Sequence, residues 1–118
     1  MKENIVKTKS FEFAVKIVKL YQFLTNSKKE YILSKQLLRS GTAIGALIRE
    51  SEHAESRADF IHKLAVALKE ATETAYWLDL IHYGGYLSDK IVKSYNSLID
   101  ELIRLLVSIL KTIKKKTN

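Results

Sequence analysis

Apolar residues return every three or four positions along most of this chain, in four long stretches separated by short polar breaks. That period is helical, because 3.6 residues per turn bring positions i, i+3, i+4 and i+7 to one face. The first predicted helix covers about residues 8–25, with Thr8 or Ser10 as N-cap. Phe13, Ile17, Leu20 and Leu24 form its main stripe, beside a second line of Phe11, Ala14, Val18 and Tyr21. The second covers about residues 28–54, opened by Ser27 and Glu30 at capping-box spacing and striped by Leu33, Leu37, Gly41, Ile44 and Ile48. The third covers about residues 57–83, with Ser56 as N-cap and Asp59 at the third position. Ile61, Leu64, Leu68, Ala71, Ala75 and Leu78 give it a heptad seam, and Gly84-Gly85 closes it. Ser88 caps the fourth, which covers about residues 88–114.

Breaks of only a few residues force consecutive helices to lie antiparallel. The predicted fold is therefore all-α, an antiparallel up-down-up-down four-helix bundle forming one domain over residues 1–118. The fourth helix carries two apolar lines: Ile91, Tyr95, Leu98, Leu102, Leu105 and Ile109, then Val92, Ile99, Ile103, Leu106 and Leu110. With the double line of the first helix, this exceeds the single stripe a monomeric bundle requires. The excess points to self-association, with the fourth helix and part of the first as subunit contacts.

Composition narrows the class. The 118 residues include no Pro and four Gly, and 47% are hydrophobic, which suits helices and not sheets. Cysteine is absent, which removes thiolate catalysis, disulfides and Cys-based zinc sites and fits a reducing cytoplasm. The first twenty residues carry five Lys and two Glu without an apolar core, so no signal peptide is expected. The apolar run Leu105 to Leu110 is too short to cross a bilayer. The net charge of +7 is unevenly placed. Residues 1–30 hold seven Lys against three acids, and residues 90–118 hold seven basic residues against two acids. The middle, residues 31–89, holds six basic and eight acidic residues. Basic ends around an acidic middle fit a surface that meets a polyanion.

A turn centred on Ser56 sets a register for the second and third helices. Arg39 then faces Glu73, Thr42 faces Glu70, and Glu50 faces His62. Arg39, Glu50, Glu70 and Glu73 form a predicted polar clasp, partly buried, that fixes helix register more than it adds stability. An acid pair for catalysis is the rival reading, but no nucleophile accompanies these carboxylates. Gly41 and Gly45, each costing about 1 kcal/mol inside a helix, are expected to admit another backbone closely.

Carboxylate–histidine pairs raise the possibility of a metal. Glu50-x-x-His53 matches the di-iron bundle motif, and Asp59-x-x-His62 and Asp79-x-x-His82 come near it. The first two fall at a bundle end, and the first and fourth helices offer no inward Glu to complete them. No catalytic residue, metal site or cofactor is therefore assigned, and the chain is read as a non-enzyme.

Lys9, Lys16 and Lys19 share one outer face of the first helix, and Lys93, Arg104, Lys111 and Lys115 share one of the fourth. Up-down topology brings both termini to one end, gathering Lys2, Lys7 and Lys9 near Lys111, Lys114, Lys115 and Lys116. Repeated around an oligomer, such a cluster would make a positive ring able to bind phosphates by counterion release. No sequence-reading motif accompanies it, so recognition would be of backbone and shape. An ordinary lysine-rich surface is the competing reading.

The block from Leu38 to Leu80 resembles a bacterial four-helix-bundle family named for proteins encoded in intervening sequences of 23S ribosomal RNA genes. Arg39-Ser40-Gly41, Ile44-Gly45, Ile48, Glu50, Asp59-Phe60, Ala67 to Ala71 and Tyr76-Trp77-Leu78 carry the resemblance. Ala43 and Leu47 depart from it, standing where the family pattern has Ser and Asn. The resemblance implies a homopentameric barrel without known enzymatic activity. It extends to the accessory protein of diversity-generating retroelements, a basic pentamer that binds nucleic acid and a reverse transcriptase. The expectation is a cytoplasmic homo-oligomeric scaffold, a pentamer by that likeness, for RNA or an RNA-bound protein. A metal-dependent enzyme using Glu50, His53, Asp59 and His62, and a purely protein-binding adaptor, are the alternatives.

Overall fold

The computed structural model of the protein describes the backbone of residues 2–117 and the side chains of residues 3–116. It holds four helices and, among the described residues, no strand: α1 (Lys2–Asn26), α2 (Leu33–Ser51), α3 (Arg57–Tyr83) and α4 (Asp89–Thr117). Each helix packs on its neighbours in the cycle α1–α2–α3–α4, and α4 closes on α1. The result is a rod of 49 × 23 × 19 Å. Its core draws on all four elements, with Ile17 and Leu24, Leu37 and Ile44, Leu78 and Ile81, and Ile99, Leu102 and Leu106 fully buried.

Several helix ends differ from the sequence expectation. α1 begins at Lys2 and not at Thr8. Nothing in residues 2–7 breaks a helix, and Val6 packs into the core, so the helix runs through the supposed cap. Ser10 is buried within the helix and its hydroxyl donates back to the Lys7 carbonyl at 3.0 Å.

α2 starts at Leu33 and not at Lys28, because the chain turns first. Lys29 takes a left-handed φ of 54°, and Glu30 N–H returns to the Leu24 carbonyl at 2.9 Å. The Glu30 carboxylate then caps α2 by itself, accepting from the amides of Ile32 (3.1 Å), Leu33 (3.0 Å) and Ser34 (2.6 Å). At its other end α2 stops at Ser51, short of Ala54, and the last amides tighten to i−3 carbonyls.

α3 opens on Ser56, whose Oγ accepts from Asp59 N–H at 3.0 Å, while Asp59 Oδ2 reaches one residue further back and accepts from Glu55 N–H at 3.1 Å. It closes where Gly85 takes φ +86°, with Tyr86 N–H on the Ile81 carbonyl and Gly85 N–H on that of His82. The Ser88 hydroxyl accepts from Ile91 N–H at the start of α4, which continues past Lys114 to Thr117.

The apolar surplus lies elsewhere than on α4. That helix buries Val92, Ile99, Leu102, Leu106, Ile109, Leu110 and Ile113 within its own chain, leaving only Ile91 among its strongly exposed apolar residues. Among the helix faces, α1 carries the longest outward apolar stripe, where Phe11, Val15 and Val18 are 53%, 39% and 40% exposed.

Candidate functional site

Arg39 on α2 sits between two carboxylates of α3. Its Nη1 donates to Glu70 Oε1 at 3.2 Å, its Nη2 to Glu73 Oε1, and its Nε to Gln36 Oε1 at 3.4 Å. Trp77 Nε1 donates to the same Glu73 oxygen at 3.2 Å. The hydrogen bond from Arg39 holds the Glu73 carboxyl below its ordinary range, and the same bond holds the guanidinium charged. A carboxylate kept ionised in this way is a poor proton donor near neutral pH, so the cluster ties α2 to α3 rather than moving protons.

Two expectations about this cluster need correcting. Glu70 meets Arg39, not Thr42, whose hydroxyl donates to its own helix at the Leu38 carbonyl. A guanidinium on a long stem spans one helical turn and reaches both acids, spaced three residues apart. Glu50 takes no part in the clasp. Its Oε1 meets Lys63 Nζ at 3.3 Å nearer the α2–α3 turn, while His62 points to solvent. The clasp is partly buried, with the Arg39 side chain 49% exposed and that of Glu70 19%.

Beneath the clasp lies a contact that the hydrophobic pattern does not announce. Ser40 and Thr74 are fully buried, and their hydroxyl oxygens lie 3.0 Å apart across the α2–α3 seam. Its one signal in the sequence is a small hydroxyl residue on the apolar stripe of each helix, at matching levels.

The carboxylate–histidine candidates are spoken for separately. Glu50, His53 and Asp59 line one open depression with Glu55 and Lys63. Lys63 occupies Glu50 there, and Asp59 Oδ2 accepts from Glu55 N–H just ahead of α3. His82 Nε2 lies 2.6 Å from Asp89 Oδ1, not from Asp79. Among the described residues, no three or more His, Asp or Glu side chains are grouped to hold a metal ion.

The basic residues fall into two sets. Lys7 is bridged to Glu52 at 2.9 Å and Lys9 to Glu101 at 3.3 Å. Lys16, Lys19, Lys93, Arg104, Lys111, Lys114, Lys115 and Lys116 are exposed and make no ion pair among the described residues. The Lys2 side chain lies outside the described residues. Arg57 Nη2 donates to the Ile113 carbonyl at 3.2 Å, which sets the end of α4 against the start of α3. The Lys7–Glu52 bridge likewise sets the start of α1 against the end of α2. No helix among the described residues is long and apolar enough to cross a membrane.

The site is thus a polar α2–α3 clasp on a lysine-rich four-helix chain, with no grouped metal ligands among the described residues. The family described as 23S rRNA-intervening sequence protein matches residues 2–108. The chain belongs to this family. Its match takes in α1 to α3 and most of α4, and ends before Lys111 and the three terminal lysines. The chain is also similar to a crystal structure of a protein with unknown function from the S23 ribosomal protein family of Bacteroides thetaiotaomicron VPI-5482. The two are 58% identical with a TM-score of 0.93, over 94% of this chain and 99% of that one. Comparison with curated proteins gave no match. None of these likenesses is to an enzyme family.

Proposed function

We propose that this member of the 23S rRNA-intervening sequence family is a non-enzymatic, cytoplasmic scaffold, one up-down-up-down domain assembled as a homopentamer that binds RNA or an RNA-bound protein. The observation that carries the reading is the outward stripe of α1, Phe11, Val15 and Val18, which stays 39–53% exposed although the Arg49 guanidinium lies 5.2 Å from the centre of the Phe11 ring. It borders a surface groove that continues over Ala14, Thr42, Gly45 and Ala46 of α1 and α2, small side chains that another helix can approach closely. Level pairings support the antiparallel order: Ser10 beside Gly45, Ser40 beside Thr74, Lys63 beside Glu50, and Glu101 beside Lys9.

The lysines supply the second half of the reading. Lys111, Lys114, Lys115 and Lys116 crowd the end of α4 without acidic partners among the described residues, where the helix dipole already favours cations. Copies gathered around an axis would multiply that charge. The test is the salt dependence of RNA binding by the wild type and by a K114E/K115E/K116E variant. Log affinity should fall steeply and linearly with log salt, and the variant should show a shallower slope by about 0.7–0.9 for each phosphate it no longer neutralises. Affinity unchanged from low to high salt contradicts phosphate binding by these lysines.

A further inference from the structure

The end of the rod opposite the lysine tail carries its own unexplained surface. Contacts at successive levels fix what meets there: Gly41 lies on Ile17, Tyr95 Oη donates to the Lys16 carbonyl, and Thr74 lies on Ser40. Carried along the helices, these levels bring the α1–α2 loop, residues 27–32, and the α3–α4 loop, residues 84–88, to one end. Tyr83 is 90% exposed, Ile32 77% and Tyr31 57%, although each belongs to or adjoins a helix that has a core to fill. Side chains of that size left in water at an otherwise well-buried fold are informative.

Charge surrounds them. Lys28, Lys29, Lys35 and Lys90 are exposed and free of ion pairs among the described residues. Lys28 lies 5.8 Å from the centre of the Phe23 ring. The neighbouring acids are engaged: Glu30 is buried on the α2 amides, and Asp89 meets His82. Asp79, one turn below Tyr83, is the acid left over. Flat rings with open faces among unpaired ammonium groups match the two needs of a single strand, bases to stack and phosphates to neutralise. A duplex offers the phosphates but hides the base faces. The 23 × 19 Å cross-section suits a short segment, within the range of about 4–16 nucleotides typical of single-strand sites.

We propose that this loop end is a single-stranded RNA site, with Tyr31 and Tyr83 as stacking platforms and Lys28, Lys29 and Lys90 as phosphate contacts. It shares with the proposed function the choice of RNA as ligand, but it uses different residues at the other end of the rod.

The experiment measures anisotropy of labelled 12-nucleotide oligoadenylate and of the matching 12-base-pair A·U duplex. Both are titrated with the full-length wild type, Tyr31→Ala, Tyr83→Ala, Tyr83→Phe and the K114E/K115E/K116E variant. Both tyrosines are exposed, so the alanine variants should keep the helical circular dichroism and melting temperature. Each should weaken single-strand binding about fivefold or more while leaving duplex binding unchanged, and Tyr83→Phe should bind like the wild type. The lysine-tail variant should weaken both probes alike. If it weakens neither while the tyrosine variants still lose the single strand, the tail reading falls and this site stands. Wild-type single-strand affinity in both alanine variants overturns the site, whatever the tail does. So does loss in those variants of binding to phosphatidylcholine–phosphatidylserine vesicles, or of subunit association, with the single-strand affinity unmoved. Failure of the wild type to bind either probe overturns both readings.

Discussion

Thr74 Oγ1 lies 3.0 Å from Ser40 Oγ inside an apolar seam where both residues are fully buried. Each hydroxyl has one proton, and Thr74 also lies 2.7 Å from the Glu70 carbonyl of its own helix. With its proton on that carbonyl, Thr74 accepts from Ser40, whose other partner, the Leu37 carbonyl, is 3.5 Å away. Thr74→Val should therefore cost about 1–2 kcal/mol in urea unfolding, because it strands the buried Ser40 hydroxyl. The Ser40→Ala/Thr74→Val double variant should lose less than the sum of the two single changes. Additive losses would show that the hydroxyls do not interact.

Glu30 gives the fold a pH dependence of known sign. Burial pushes its carboxyl up, but the amides of Leu33, Ser34 and Ile32 together hold it below the ordinary value of 4.5. A depressed folded value stabilises the fold above the ordinary value, and that stabilisation is lost as pH falls through the lower one. Glu30→Gln should thus cost about 1–2 kcal/mol at pH 7, as loss of a helix cap does. The gap between variant and wild-type melting temperatures should narrow as the solution is acidified through and below 4.5. A gap that is constant with pH would remove the carboxylate from the account.

The two glycines of α2 should respond in opposite directions. A Cβ on Gly41 would stand 3.0 Å from both Cγ atoms of Ile17, which is fully buried and cannot retreat. Gly41→Ala should destabilise despite the roughly 1 kcal/mol that alanine adds to helix propensity. At Gly45 the nearest atom is Ser10 Oγ at 3.4 Å, an ordinary contact. Gly45→Ala should melt at or above the wild-type temperature, within that same ~1 kcal/mol. The same direction in both would refute close packing of α1 on α2 at Gly41.

What the sequence discloses and what it hides follow from where the information sits. Periodicity exposes four helices and no strands, since the stripes on α1, α3 and α4 are long and unbroken. Caps with a local code are legible too: Ser56 with Asp59, and Ser88 before α4. The α1–α2 connection is not. Lys29 carries a left-handed φ without being Gly or Asn, and Glu30 caps from three residues before the helix instead of closing a box with Ser27. Ser10 misleads because a buried hydroxyl within a helix and a capping hydroxyl look alike until the fold supplies the neighbour, here Gly45. The Arg39–Glu73 pairing follows from register alone, but Glu50 goes to Lys63 because its partner depends on side-chain reach. Tyr31 in the α1–α2 loop and Tyr83 at the end of α3 fall outside the helical stripes, so periodicity does not disclose them.

The partly exposed apolar face of α1 is the centre of the account, and the mass of the particle in solution tests it most directly. Light scattering at micromolar concentration should give a multiple of the 13.5 kDa chain, about fivefold for the proposed pentamer, and a V15D/V18D variant should fall to a single chain without losing helicity. A wild-type mass of 13.5 kDa would contradict the assembly, and with it the shared basic rim.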